Sequence, residues 1–130
     1  MSTLPETIKI AGSEYPVQPP DFATRHDISA RFIADGYARM SYVCAATMIL
    51  CCPTIAPLIG FTATYDGDAT KLWRFGRGAY TAMFGRYTNE DIQTAGGTLA
   101  GFIIREMIPS RAEVSARVDF SKAQPAAATS

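Results

Sequence analysis

Apolar and polar positions alternate with the strand period only once, near the start of the chain. In TIKIAGSEYPV, residues 7–17, the apolar members are Ile8, Ile10, Tyr15 and Val17. Ala11-Gly12-Ser13 interrupts them with the small, turn-permissive residues of a hairpin tip. Pro16 suits an edge or a strand end, where its missing N–H costs nothing. Gln18-Pro19-Pro20 then forces an extended linker, because each proline pushes its predecessor out of the α region. Two strands alone are marginal, so this hairpin must lean on helices or join a neighbour's sheet.

After Asp21 the period becomes helical. Asp21 or Thr24 can cap a helix whose stripe runs through Ile28, Phe32, Gly36, Met40, Val43, Thr47 and Leu50. Arg25, Asp27, Arg31, Asp35 and Arg39 fall largely off that stripe. Gly36 weakens the helix by about 1 kcal/mol relative to alanine, so it either breaks the segment in two or permits a close helix contact. The helix must end before Pro53, and TIAPLIGF, residues 54–61, reads as an apolar loop or short turn. Such a loop needs cover, from the hairpin or from another subunit.

Tyr65-Asp66-Gly67-Asp68 is a turn, with Asp68 the N-cap of a helix reaching about Arg86. Its stripe is Leu72, Phe75 or Gly76, Ala79 and Met83, widened by Trp73, Tyr80 and Phe84. Gly76, Gly78 and Ala79 leave one side smooth enough for a neighbouring backbone. Thr88-Asn89-Glu90-Asp91 resembles a capping box, with aspartate where glutamate is preferred. The helical period resumes with Ile92, Ala95, Leu99, Phe102 or Ile103 and Met107, and stops at Pro109. A second box, Ser110 to Glu113, opens a short last helix through about Asp119 that carries Val114 and Val118. The predicted class is α+β and mostly helical: an N-terminal β-hairpin followed by four or five helices. Residues 1–20 form the hairpin and proline linker, 21–119 the helical domain and 120–130 a flexible tail.

Composition narrows the function. Lysine plus arginine number 12 and aspartate plus glutamate 12, so the formal net charge is zero, which argues against nucleic acid as the partner. At 48% hydrophobic and 18% charged, the chain has material for a core and a surface suited to a protein partner. Cys44, Cys51 and Cys52 are an odd set with two adjacent members, which fits small buried hydrophobes better than a disulfide framework or a metal site. No charge occurs from Met40 to Tyr65, and residues 40–61 raise the alternative of a small membrane protein. Pro53 and Pro57 stand against a span, since the helix before Pro53 has only the length of a core segment. The N-terminus lacks the basic and apolar regions of a secretory signal.

Candidate chemistry is sparse. Gly76 and Gly78 begin a G-x-G, but Thr81 stands where the third glycine of a dinucleotide fingerprint belongs and no strand precedes it. Asp66, Asp68, Glu90 and Asp91 are explained as helix caps rather than as a cation site, and His26 as a surface residue. Nothing assembles nucleophile, base and oxyanion donors, so neither an enzyme nor a cofactor is expected. Lys71, Arg74, Arg77 and Arg86 do form a run of cations without an acid, readable as a solvated face or as a dock for an acidic protein segment.

The order of parts carries a resemblance. The hairpin I-x-I-x-G-x-x-Y-x-V, from Ile8 through Gly12 and Tyr15 to Val17, precedes a proline linker and a helical body. With Phe75-Gly76-Arg77-Gly78-Ala79-Tyr80, then Asp91-Ile92, Gly96, Ile108-Pro109-Ser110 and Glu113-Val114, the layout over residues 7–120 resembles small bacteriophage tail-assembly chaperones and tail accessory proteins. The resemblance lies in layout and brings no catalytic residue. It implies a non-enzymatic protein of the infected host's cytoplasm that binds an aggregation-prone tail component, the long helical tape-measure protein. The alternative is a structural virion subunit, a head–tail or tail-completion protein that stays in the particle. Partner contact is assigned to Trp73, Phe75, Tyr80 and Phe84, with Arg74 and Arg77 steering acidic segments. The same helix, with the apolar stretch at 53–61, offers a route to self-association.

Overall fold

The hairpin forms where the alternation predicts it. In the computed structural model, which describes residues 4–35 and 37–107, β1 (Thr7–Ile10) pairs antiparallel with β2 (Ser13–Pro16). Ala11 and Gly12 take φ of 51° and 87°, the left-handed pair that a two-residue turn between right-twisted strands requires. Ile8 faces Tyr15 across the ladder and Lys9 faces Glu14. Ile10, Tyr15 and Val17 are buried, while Lys9 and Glu14 stay in water. The hairpin leans on the helices. Its ladder continues as Val17 N–H donates to the Glu6 carbonyl at 2.8 Å, and Gln18 N–H then donates to the Cys51 carbonyl at 2.7 Å.

Asp21 opens α1 (Phe22–Ala34) by accepting from Thr24 N–H at 2.8 Å. A single 3₁₀ turn, Tyr37–Arg39, leads directly into α2 (Met40–Cys51). The stripe read from Ile28 to Leu50 is therefore divided between two helices; Gly36, between them, lies outside the described residues. The stripe also misjudges α2. Every residue from Val43 to Ile49 is buried, as is Cys51, so the body of this helix is buried around its whole circumference. The reason is its position: α2 is the central rod, with α4 (Leu72–Met83) on one side and α5 (Asn89–Met107) on the other.

Glycines set both contacts. A methyl group on Gly76 would run into the Tyr42 carbonyl oxygen, and one on Gly96 would meet the Cα, Cβ and O of Cys44 at 2.5 Å. Backbone therefore packs on backbone, the close approach that the smooth side of Gly76 and Ala79 anticipates. Thr47, buried in this rod, donates its hydroxyl to the Val43 carbonyl at 2.8 Å. All three cysteines are free and buried. Burial pushes the Cys44 and Cys52 thiols up to about 11, and burial together with the neighbouring Cys52 pushes Cys51 up to about 12. Among the described residues no helix is long and apolar enough to cross a membrane. The uncharged stretch from Met40 builds the core instead.

The apolar connection after α2 is largely covered from within the chain. It contains the one-turn α3 (Ile55–Leu58), with Ile55 fully buried and Ile59 and Phe61 packed against the core. Leu58 remains 49% exposed. Tyr65 ties the rest of the connection to α1 by donating to Asp27 Oδ2 at 2.6 Å, and its phenol is pushed up by burial and by that carboxylate. Arg25 pairs with Glu106 at 3.4 Å and donates to the Pro20 carbonyl at 3.1 Å, fastening the start of α1 to the end of α5. The second capping box, the last helix and the tail expected from residues 108–130 lie outside the described residues.

Candidate interaction surface

The fourth helix starts one turn later than its N-cap implies. Asp68 accepts from Thr70 N–H at 3.0 Å and from the Thr70 hydroxyl at 2.6 Å, which caps a 3₁₀ turn, Ala69–Lys71, ahead of Leu72. Asp66 in turn accepts from Asp68 N–H at 2.9 Å. The hydrogen bonds from Thr70, led by the one from its side chain, lower the Asp68 carboxyl from its ordinary value. At the other end, Thr88 and Asp91 form the reciprocal box: Asp91 N–H donates to Thr88 Oγ1 and Thr88 N–H to Asp91 Oδ2, both at 3.0 Å.

Between those caps, α4 buries Leu72, Gly76, Ala79 and Met83 against the core. Successive residues turn by about 100° around the axis, so Trp73, Arg77, Tyr80 and Phe84 share one flank and Phe75 falls on the opposite one. The contacts follow this division. Phe75 packs edge-on to Phe61, with centroids 5.4 Å apart, and 5.9 Å from Tyr65. Its ring closes the loop cover and joins the partly buried shell of the core. Phe75 thus sits apart from Trp73, Tyr80 and Phe84, with which the sequence grouped it.

The other flank is open. Phe84 is 61% exposed and stacks edge-on against Tyr80 at 4.9 Å, and Tyr80 in turn meets Tyr42 at 5.6 Å. The Tyr80 hydroxyl donates to Asn89 Oδ1 at 2.9 Å. Trp73 lies half-buried under the Arg39 guanidinium, 4.1 Å from its ring centroid, with Arg74 at 5.5 Å. Arg39 is itself paired with Asp35 at 3.8 Å, as is Arg31. Arg74, Arg77, Gly78 and Thr81 complete an open hollow of about 580 Å³ beside Trp73. Arg74 and Arg77 are exposed. The result is an aromatic strip edged by guanidinium groups. Arg39 and Tyr42 belong to it and were not singled out from the sequence; their three-residue spacing at the start of α2 is the signal that could have placed them.

A second polar cluster joins the hairpin to the turn after α4. Tyr87 donates its hydroxyl proton to Tyr15 Oη at 2.6 Å, and the two rings meet edge-on at 6.4 Å. Burial and that donation push Tyr87 up to about 12. Burial alone would raise Tyr15 as well, but hydrogen bonds from Tyr87, Arg86 and Ser13 outweigh it and leave the phenol below its ordinary value. Tyr87 is interior, at 4% exposure.

No protein-family model, curated protein or solved structure matches this chain.

Proposed function

We propose that this protein is a non-enzymatic binding protein that holds an amphipathic helical segment of a partner against the open flank of α4. The single observation that carries the reading is the strip Trp73–Arg77–Tyr80–Phe84. One face of α4 is fully spent on the core while an adjacent flank leaves Phe84 mostly in water beside exposed arginines. Aromatic and arginine side chains are the types that dominate binding hot spots. A shallow apolar surface on a helix suits recognition of another helix through residues three and four apart.

The biological setting rests on the sequence resemblance: a phage tail-assembly chaperone or accessory factor whose client is the tape-measure protein. In that role it acts in the cytoplasm of the infected bacterium and is absent from the finished particle. The test is co-expression with the tape-measure protein of the same genome, followed by co-purification and by mass spectrometry of purified virions. Co-purification that survives Arg77→Ala but not Phe84→Ala is the expected result. A fixed copy number in virions would instead make the protein a structural subunit, and no co-purification would remove the chaperone reading.

A further inference from the structure

The hairpin tip closes over another hollow, of about 170 Å³, lined by Ile10, Ala11, Ser13, Tyr15, Arg86 and Tyr87. It shares no lining residue with the hollow on α4. Its polar inventory is one-sided. Tyr87 donates to Tyr15 Oη at 2.6 Å, and Ser13 and Arg86, whose guanidinium lies 6.0 Å from the Tyr87 ring centroid, line the hollow beside them. With its oxygen already accepting from Tyr87, the neutral Tyr15 phenol still has one proton of its own to place, and the Arg86 guanidinium beside it carries donors alone.

No carboxylate lines the hollow to balance them. Among the described residues no acid forms an ion pair with Arg86. Glu14, beside Tyr15 in sequence, points to the other face of the hairpin, where it accepts from the Thr7 hydroxyl at 3.0 Å. The remaining walls, Ile10 and Ala11, are aliphatic. A donor-rich, acceptor-poor hollow with an apolar wall is complementary to a carboxylate on a short apolar stem. The planar fork of Arg86 takes such a group in a bidentate fashion, which a spherical anion cannot exploit.

We propose that this hollow binds a small carboxylate, supplied by a free short-chain acid or by the C-terminal carboxylate of a peptide. Arg86 holds the carboxylate, Tyr15 donates its own proton to it, Tyr87 fixes Tyr15 in place, and Ile10 and Ala11 cover the stem. The site is independent of partner binding on α4.

The experiment is an amide-shift NMR titration of the full chain with sodium butyrate, inorganic phosphate, and a short apolar peptide with either a free or an amidated C-terminus. Butyrate should produce saturable shifts confined to residues around Ala11–Ser13 and Arg86–Tyr87. Arg86→Gln should abolish saturation, and Tyr15→Phe should weaken binding at least about tenfold. Arg86 is exposed, so its replacement leaves the fold intact and the test decisive even if the Tyr15 variant is destabilised. The free-ended peptide binding more tightly than butyrate, with its amide silent, identifies a protein terminus as the source; the reverse order identifies a small acid. Shifts that stay linear, an unchanged dissociation constant in Arg86→Gln, or tighter binding of phosphate than of butyrate would overturn the proposal.

Discussion

Gly96 and Gly97 are neighbours on one helix with opposite prospects. At Gly96 an added methyl meets the Cys44 backbone at 2.5 Å, whereas at Gly97 nothing lies within 4 Å. Overpacking a well-filled contact costs about 1–3 kcal/mol, and a backbone neighbour cannot rotate away. In open helical positions alanine is better than glycine by about 1 kcal/mol. Gly96→Ala should therefore lower stability and Gly97→Ala raise it, read from urea unfolding; Gly76→Ala should behave like Gly96→Ala. A second prediction concerns the thiols, whose folded values lie above the ordinary one of about 8.5. The unfolded chain loses those protons first, so stability is flat below about pH 8.5 and falls as pH rises towards the folded values. Unfolding measured from pH 7 to 10.5 should show that decline, with a shallower slope in Cys51→Ala whatever its starting stability. A slope unchanged by that substitution would mean the thiols are not its source.

At the scale of elements, the sequence was most legible where the cause is local. The hairpin turn at Ala11-Gly12, the Asp21 cap and the Thr88–Asp91 box each depend on residues within a few positions of one another. Asp91 replaces the preferred glutamate and still reaches back to Thr88 N–H. Removing the hydroxyl should cost about 1 kcal/mol, so Thr88→Ala should lower the unfolding midpoint while Thr98→Ala, on the exposed face of α5, should not. Less was legible where the cause is tertiary. A helix buried on every side shows no stripe, so a single face drawn through Val43, Thr47 and Leu50 described α2 poorly. The one-turn 3₁₀ segments before α2 and α4 left no periodic signal. The Tyr15–Tyr87 bond spans 72 positions, which no local pattern announces. Phe75 is different: helix geometry alone separates it from Trp73, and only the composition of the segment suggested otherwise.

For the molecule as a whole, the proposed function turns on the flank of α4. Truncating a central aromatic anchor typically costs about 2 kcal/mol or more of binding, and removing a rim charge much less. Phe84→Ala and Trp73→Ala should therefore weaken client binding or self-association well beyond Arg77→Ala, with circular dichroism confirming that each variant folds. Phe84 is the cleaner probe because it is mostly exposed, whereas Trp73 also supports Arg39. If both folded variants keep their oligomeric state and partner affinity, the strip is only an unusually aromatic surface. Phe75→Ala should chiefly cost stability, since its ring closes on Phe61 and Tyr65 inside the chain.

The hydrogen bond from Gln18 N–H to the Cys51 carbonyl has a further consequence. It makes the linker after the hairpin the terminator of the central helix, filling an acceptor that the helix cannot satisfy itself. Cys51 and Cys52 are fully buried there, so water cannot take over without exposing core. Peeling the hairpin away and fraying the end of α2 are then one event, not two. Native-state hydrogen exchange should show it: the amides of Val17, Gln18 and Cys52 should share one opening free energy and one denaturant dependence. That shared value should lie above those of α1's first turn, which is capped by Asp21 and carries the mostly exposed Phe22.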